Sequence, residues 1–308
     1  MNIVICFPKE QEASRWQADL QQHLPHATIA LWQPSCTFQA DYAIVWRATQ
    51  AFFDSQTQLK AIFNAGAGVD ALLALKVPAH IPIVRLEDAG MGAQMAQYVA
   101  HAALKHVRQF DVYAHSASLA TWQPKAPQRM ADFPIGIMGY GVLGQAIASG
   151  LIGLGFTVHA WARRAALSAS IPVYAGEQGL PTFLAATRIL VCVLPLTPHT
   201  QGLVNHALLK QLRPKAYFIN VARGEHVNET DLLTALSDGT LAGATLDVCT
   251  HEPAGQDHPF WKQSNLTLTP HIAAASLRQE SIAQIAQKLL ALASGESVSG
   301  VINTACGY

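Results

Sequence analysis

The chain alternates between short apolar segments and longer segments in which apolar residues recur at helical spacing. In the first third, β-branched and aromatic residues form short runs bounded by Pro, Asp and Gly, a pattern typical of buried strands. This alternation predicts parallel strands joined by crossover helices. The predicted strands of this region are 3–6, 28–32, 42–46, 61–64 and 83–85.

A second alternating region begins at Ile135. It follows a predicted long helix over 91–110 and a polar, proline-containing loop over 115–133. A final helix is predicted over 276–293. Two such regions predict an α/β fold with two doubly wound parallel-sheet domains. The predicted strands of the second region are 135–138, 157–161, 189–193, 217–220, 244–248 and 266–269.

The charge and cysteine content bear on the binding partners and the cellular compartment to be expected. The formal net charge is zero, so nothing directs the protein to nucleic acid or an anionic membrane. Residues 133–162 carry no formal charge and could span a bilayer by length, but seven glycines favour a strand, a turn and a helix, and no membrane span is expected. The first ten residues do not resemble a signal peptide. Five scattered cysteines favour a reducing compartment, so we expect a cytoplasmic protein.

A glycine-rich motif lies between a predicted strand and a predicted helix. Residues 139–144 read GYGVLG, and this context is the one that dinucleotide binding requires. Gly139 would permit the tight turn, Gly141 the approach of a pyrophosphate, and Gly144 the packing of helix on strand. Val142 and Leu143 would lie at the helix start, where free N–H groups face the phosphates. The alternative is a glycine-rich turn without a ligand.

The next strand ends in a basic pair where an acidic residue would select NAD. An Asp or Glu about 20 residues past the glycines binds the ribose hydroxyls of NAD. Here Ala162 removes the carboxylate, and Arg163 and Arg164 supply charge that can pair with the 2′-phosphate of NADP. The sequence therefore predicts NADPH/NADP as cofactor, with lower preference for NADH. The alternative is a solvated basic pair.

Three further strand ends carry polar residues in apolar surroundings. The carboxyl ends of parallel strands meet at one edge of a sheet, so Arg223, Glu252 and His271 could converge there. A protonated His can give a proton to a ketone oxygen as hydride arrives, and a neighbouring Glu favours the charged ring. An Arg can bind a substrate carboxylate. Alternatively, the His caps a helix and the Glu is a loop residue.

The motifs together resemble the D-isomer-specific 2-hydroxyacid dehydrogenases over nearly the whole chain. The resemblance implies a Rossmann cofactor domain (98–284) inserted in a flavodoxin-like substrate domain (1–97 plus 285–308), and a homodimer. The motifs are AGAGVD at 65–70, GYGVLG at 139–144, LPLTPHTQGL at 194–203, NVARGE at 220–225, AGATLDV at 242–248, HEP at 251–253 and TPHIAA at 269–274.

The resemblance also implies a role for each matched residue. His271 would be the general acid/base, Glu252 its partner and Arg223 the substrate-binding residue. The backbone of Ala67 and Gly68 would hold the substrate carboxylate. The implied cofactor contacts, beyond the glycine motif and the arginines, are Pro195, Thr197, Thr200, Ala222 and Asp247.

Finer features resemble the branch of NADPH-preferring glyoxylate and hydroxypyruvate reductases. They are VWRAT at 45–49, LEDAGMGAQMAQYV at 86–99, HAWAR at 159–163 and a Gly-Tyr ending. In that branch Trp46 and Arg47 would lie near the substrate; otherwise they are a core aromatic and a surface cation. Two departures are Gln97, where many members have Glu, and Ala162, where relatives often have a small hydroxyl residue.

We therefore predict NADPH-dependent reduction of small 2-oxo acids, glyoxylate to glycolate and hydroxypyruvate to D-glycerate. The alternatives are an NAD-dependent D-2-hydroxyacid dehydrogenase of another substrate and a non-enzymatic dinucleotide sensor. One methylene-sized change is worth only about 1–3 kcal/mol in such pockets, so the physiological substrate stays open. No metal site is expected, because the other histidines lack ligand spacing: His101, His106, His199, His206, His226, His251 and His258.

Overall fold

The computed structural model describes residues 1–164 and 169–303, which divide into two compact units. One unit joins residues 1–91 to the chain from Ser276 onward, and the other is Gly92–Ala275. The boundaries expected from the sequence, 97/98 and 284/285, fall inside α4 (Met91–Val107) and α10 (Arg278–Ala293). Each helix buries its apolar face in one core, so neither helix is divided.

The first unit contains a five-stranded parallel sheet in the order β2-β1-β3-β4-β5. This is the flavodoxin-like order, and the sequence-based expectation is confirmed. The central strands are buried on both faces, as their continuous apolar runs predict. Its strands are β1 (Asn2–Cys6), β2 (Thr28–Leu31), β3 (Tyr42–Val45), β4 (Ala61–Asn64) and β5 (Ile83–Arg85), and its helices are α1 (Glu10–His23), α2 (Gln50–Ser55), α3 (Asp70–Leu73) and α10.

The second unit contains a seven-stranded parallel sheet in the order β12-β11-β10-β9-β6-β7-β8. The strand order reverses between β6 and β9, as in a Rossmann fold, and open α/β sheets generally form their ligand crevice beyond the carboxyl ends of the strands at such a point. Its strands are β6 (Ile135–Met138), β7 (Val158–Ala162), β8 (Val173–Ala175), β9 (Ile189–Cys192), β10 (Ala216–Asn220), β11 (Leu241–Leu246) and β12 (Leu266–Leu268), and its helices are α4, α5 (Phe110–Ser118), α6 (Val142–Gly153), α7 (Gly176–Ala186), α8 (His206–Leu209) and α9 (Glu229–Ser237).

Three local features differ from the sequence-based expectations. The predicted helix over 91–110 ends at Val107, because Gln109 adopts a left-handed conformation with φ 55° and the chain restarts as α5. The loop expected from His115 therefore begins only after Ser118. Strand β8 was not predicted, since its three half-buried residues form too short a pattern.

The described cysteines form no disulfide, and the described helices include no membrane span. Cys6, Cys36, Cys192 and Cys249 are free thiols, and burial raises the pKa of Cys6 and of Cys192 to about 12. Cys306 and the Gly-Tyr ending lie outside the described residues. Within residues 1–164 and 169–303, no helix is long and apolar enough to cross a membrane.

Candidate active site

The predicted chemistry in the second unit lies at the carboxyl ends of its strands. The glycine motif follows β6, the arginine pair follows β7, and the segment containing Pro195 follows β9. Arg223 follows β10, Glu252 follows β11 and His271 follows β12. Because all seven strands are parallel, these segments share one edge of the sheet.

The glycine motif forms a strand–turn–helix with two sterically required glycines. Gly139 has φ 106°, and a Cβ there would lie 2.9 Å from the carbonyl oxygen of Val193. A Cβ on Gly144 would lie 2.0 Å from the carbonyl oxygen of Gly139, so this glycine lets α6 pack on the turn.

Gly141 is different, because its open side faces no atom of the described chain. A Cβ there would meet nothing within 4 Å, so its absence serves no packing contact. Gly141 is the N-cap of α6 and provides no side-chain cap, which leaves the first N–H groups of the helix for another acceptor. Val142 and Leu143 form the first turn. Open space at a helix N-terminus fits the pyrophosphate of a dinucleotide.

The basic pair comes directly after the strand next to the glycine motif. Strand β7 ends at Ala162, and both Arg163 and Arg164 are exposed. They carry positive charge at the sheet edge that also holds the glycine turn, as NADP would require. The two alanines that follow the arginine pair, at 165 and 166, lie outside the described residues.

The segment after β9 is a turn held by a threonine hydroxyl. Thr200 Oγ1 donates to the carbonyl of Pro195 at 2.7 Å and accepts from the N–H of Thr197 at 2.9 Å. The Thr200 hydroxyl is therefore engaged within the turn, and Thr197 is buried. That these residues line the cofactor stays a prediction.

Arg223 is positioned by the last residue of β10. The Asn220 side chain donates to the carbonyl of Arg223 at 2.9 Å and accepts from the N–H of Ala222 at 3.0 Å. The guanidinium donates from Nη1 to the carbonyl of Ala222 at 2.8 Å. A Cβ on Gly224 would lie 2.0 Å from the carbonyl carbon of Cys249. The Arg223 turn therefore packs directly on the loop that leads from β11 to Glu252.

His226 is a site residue that the sequence analysis did not single out. Its ring is fully buried, and burial lowers its pKa. In the neutral ring, Nδ1 accepts from the N–H of Arg223 at 3.2 Å and Nε2 donates to the carbonyl of Pro195 at 3.2 Å. His226 thus joins the Arg223 turn to the segment after β9. No spacing rule marks such a residue, because its burial depends on two loops meeting.

Asp247 holds the loop that carries His271. Its buried carboxylate accepts from the N–H of Ile272 and the N–H of Ala273, each at 2.8 Å, and from the hydroxyl of Thr269 at 2.6 Å. Its backbone carbonyl accepts from the N–H of His271 at 2.8 Å. The three bonds to the carboxylate compensate for the burial of its charge. That Asp247 contacts the cofactor stays a prediction.

His271 and Glu252 form the predicted pair. His271 Nδ1 lies 2.8 Å from Glu252 Oε2, and the side chains are 44% and 39% exposed, so both can be reached from solvent. The pairing engages Nδ1 and leaves the other ring nitrogen, Nε2, for another partner. His271 has φ 56°, a conformation that a non-glycine residue keeps only where its surroundings enforce it.

The Glu252 loop is held by a second carboxylate that sequence reasoning also missed. Glu229 Oε1 accepts from the N–H of Thr250 at 2.9 Å, and its Oε2 lies 3.4 Å from His258 Nε2. Glu252 itself accepts weakly, at 3.4 Å, from the N–H of Cys249. Glu229 lies in the first turn of α9, so the helix helps to position the acidic partner of His271.

The predicted substrate residues of the first unit lie after β3 and β4. Trp46 is half-buried and covers Gly66, where a Cβ would lie 2.3 Å from the indole ring. Arg47 is exposed and has φ 49°. The loop with Ala67 and Gly68 is fixed by Asn64, whose Nδ2 donates to the carbonyls of residues 66 and 68 at 2.8 Å each. The packing of Trp46 agrees with its core alternative, and substrate contact stays a prediction.

The chain matches a family model and full-length relatives. The model described as "D-isomer specific 2-hydroxyacid dehydrogenase, NAD binding domain" matches residues 100–273. Glyoxylate/hydroxypyruvate reductase A of Serratia proteamaculans (strain 568) is 42% identical over 314 aligned positions, which cover 100% of both chains. The same-named protein of Yersinia enterocolitica is 41% identical with the same coverage.

Solved structures of the same family resemble the whole chain. A D-isomer specific 2-hydroxyacid dehydrogenase from Xanthobacter autotrophicus Py2, in complex with NADPH and MES, has a TM-score of 0.92 and 33% identity over 99% of both chains. An NADPH-dependent glyoxylate/hydroxypyruvate reductase from Sinorhizobium meliloti, in complex with NADP and sulfate, has a TM-score of 0.92 and 32% identity over 100% of this chain and 99% of that one. This chain therefore belongs to the D-isomer-specific 2-hydroxyacid dehydrogenase family.

Proposed function

We propose that the protein reduces small 2-oxo acids with NADPH, converting glyoxylate to glycolate and hydroxypyruvate to D-glycerate. The observation that carries this proposal is the 2.8 Å pair of His271 and Glu252 on the sheet edge that also holds the glycine turn. Full-length similarity to glyoxylate/hydroxypyruvate reductases and to structures bound to NADPH or NADP supports the substrate class and the cofactor.

The roles of the residues follow from their chemistry. When bound, NADPH supplies the hydride that the carbonyl carbon of the acid accepts. The Arg223 guanidinium binds the carboxylate of the acid and polarises its carbonyl. His271 Nε2 gives a proton to the carbonyl oxygen, and Glu252 orients the ring through its contact with Nδ1. The product is the 2-hydroxy acid, and the imidazole regains its proton from solvent.

The assignments of the remaining residues are part of the proposal. The second unit binds the cofactor through the glycine turn, Arg163, Arg164 and the segments after β9, β10 and β11. The first unit contributes substrate contacts from Trp46, Arg47 and the backbone of Ala67 and Gly68. We assign the reaction to the cytoplasm, where the four described free thiols would stay reduced.

The cofactor assignment is tested by kcat/KM for NADPH and for NADH at saturating glyoxylate. We compare the wild type with Arg163→Ala and with Arg15→Ala, which removes an exposed arginine of α1. NADPH preference in the wild type should fall by about tenfold or more in Arg163→Ala, because a charge-assisted pair with the 2′-phosphate is lost. Arg15→Ala should keep the preference.

The other outcomes separate the alternatives. A wild-type preference for NADH would leave Arg163 and Arg164 a surface pair and favour the NAD-dependent alternative. Binding of NADPH without its oxidation by any small 2-oxo acid would favour the sensor.

We further propose that the protein is a homodimer and that residues 110–122 form part of the interface. This segment of the second unit exposes Phe110, Leu119 and Trp122, the last of which is 98% exposed. Apolar side chains clustered in this way favour a protein contact. Sedimentation should give the mass of two chains, and Leu119→Asp combined with Trp122→Ser should give one. A wild-type monomer at micromolar concentration would refute the proposal.

A further inference from the structure

A line of hydroxyl groups connects α4 to the loop of His271. Tyr98 lies in α4, and its hydroxyl is 2.5 Å from Thr269 Oγ1, although the two residues are 171 positions apart. Thr269 Oγ1 in turn lies 2.6 Å from Asp247 Oδ1. Tyr98 is only partly exposed and contributes to the packing of the second unit's core.

The direction of these hydrogen bonds follows from the groups involved. An ionised carboxylate only accepts, so Thr269 must give its single hydroxyl proton to Asp247. Thr269 Oγ1 can then only accept from Tyr98, which must donate. Burial raises the pKa of Tyr98 to about 12, which keeps the phenol protonated and able to donate. The order Tyr98 to Thr269 to Asp247 is therefore fixed.

The end of this line holds the backbone on both sides of His271. Asp247 accepts from Thr269, just before His271, and from the N–H groups of Ile272 and Ala273, just after it. His271 itself keeps the left-handed φ of 56°. A non-glycine residue keeps that conformation only where surrounding contacts enforce it, because its Cβ is crowded by the backbone there.

We propose that Tyr98 is a positioning residue for His271 and acts through Thr269 and Asp247. The inference rests on the proposed function, since it concerns the general acid of that reaction. Tyr98 fixes the Thr269 hydroxyl, which helps to hold the Asp247 carboxylate and so the loop. Small displacements of a catalytic group reduce turnover strongly, by as much as about 10²-fold for 1 Å.

The chain offers a closely matched control for the removal of the Tyr98 hydroxyl. Tyr217 OH lies 2.8 Å from Thr245 Oγ1, in a second buried Tyr–Thr pair of the same unit. This second pair lies within strands β10 and β11, whereas Thr269 lies in the loop of His271. Tyr98→Phe and Tyr217→Phe therefore each remove one hydroxyl from one Tyr–Thr pair, but only the first is linked to His271.

Two readouts test the proposal, one of activity and one of structure. Tyr98→Phe should lower kcat with glyoxylate about tenfold while KM for NADPH stays within about twofold. Hydrogen exchange of the peptide containing Ile272 and Ala273 should become about tenfold faster. Tyr217→Phe should leave both readouts unchanged, and melting temperatures of the two variants should be similar.

Variants of Thr269 test whether Tyr98, Thr269 and Asp247 act as one hydrogen-bonded series. Thr269→Val should lower kcat at least as much as Tyr98→Phe, and the double variant should lose no more than Thr269→Val alone. Thr269→Ser keeps the hydroxyl and should retain most of the activity. If the losses of kcat in the double variant were additive, Tyr98 would not act through Thr269.

The two proposals fail in distinguishable ways. Absence of turnover in the wild type would overturn the proposed function, and the exchange measurement would still decide whether Tyr98 holds the loop. Unchanged exchange in Tyr98→Phe would overturn the inference whether or not the wild type turns over. Faster exchange with unchanged kcat in an active enzyme would overturn the positioning role of Tyr98.

Discussion

The polar side chains of the candidate site are of two kinds, accessible to solvent or buried against the backbone. His271 and Glu252 contact each other and remain accessible, while Asp247 and His226 are buried and bonded to backbone groups. Accessible polar groups can reach a substrate, whereas buried ones mainly fix loops. The site residues that their chemistry singles out in the sequence are therefore held in place by buried residues such as His226, which only the structure identifies.

The accessible pair gives a prediction for the pH dependence of both directions of the reaction. Reduction needs the protonated imidazole of His271, so kcat/KM for glyoxylate should fall as rising pH removes that proton. Oxidation of glycolate needs the neutral ring and should show the opposite trend. The measurement is kcat/KM against pH in both directions.

Glu252→Gln should lower kcat/KM for reduction by about 10²-fold or more, because general acid catalysis contributes about 10²–10⁴-fold and the amide orients the charged ring poorly. Glu10→Gln, at the exposed start of α1, serves as a control. Wild-type rates in Glu252→Gln would remove Glu252 from the mechanism.

At the scale of elements, the contact between α6 and β6 depends on glycine. Gly144 lies where α6 crosses the turn after β6, and its missing side chain sets the distance between helix and strand. Gly153, the last residue of the same helix, would direct a Cβ into open space. Two glycines of one helix therefore have different physical roles.

The difference predicts opposite effects of the same substitution. Gly144→Ala should lower the free energy of unfolding by about 1–3 kcal/mol, since its Cβ overlaps the backbone. It should also weaken NADPH binding by displacing the start of α6. Gly153→Ala should be neutral or stabilise by up to about 1 kcal/mol. Denaturant titration and cofactor fluorescence measure both, and equal stability of the two variants would contradict the packing argument.

At the scale of the whole molecule, buried histidines link stability to pH. Burial lowers the pKa of His106 to about 4 and also lowers the pKa of His159 and of His226. All three lie in the second unit. Unfolding exposes these rings to solvent, where they bind protons at higher pH than in the fold.

This linkage predicts that the second unit loses stability in acid. The unfolded state binds more protons below about pH 6.5, so the free energy of unfolding should fall as pH decreases towards 4. His106 alone accounts for roughly 3 kcal/mol over that range, at about 1.4 kcal/mol for each pKa unit. His106→Gln should flatten the dependence of unfolding on pH. An equally steep dependence in that variant would show that other groups dominate.

The sequence by itself determined the features that depend on neighbouring residues. Alternating apolar runs and helical segments predicted both parallel sheets, and the glycine motif was recognisable from its flanking strand and helix. Local patterns suffice there because periodicity and turn sterics act over a few residues. Where the local pattern was short or broken, as at Val173–Ala175 and Gln109, the prediction was wrong.

Only the tertiary structure decided which groups support the predicted site. The pairing of Glu252 with His271 was expected from the motifs, but the contact of Tyr98 with Thr269, across 171 positions, was not. The burial of His226 likewise depends on two loops coming together. Such contacts follow from strand order and from how loops close over the sheet edge, which residue spacing does not encode. The sequence thus predicted which residues carry the chemistry of the site, and the tertiary structure revealed the residues that hold them in position.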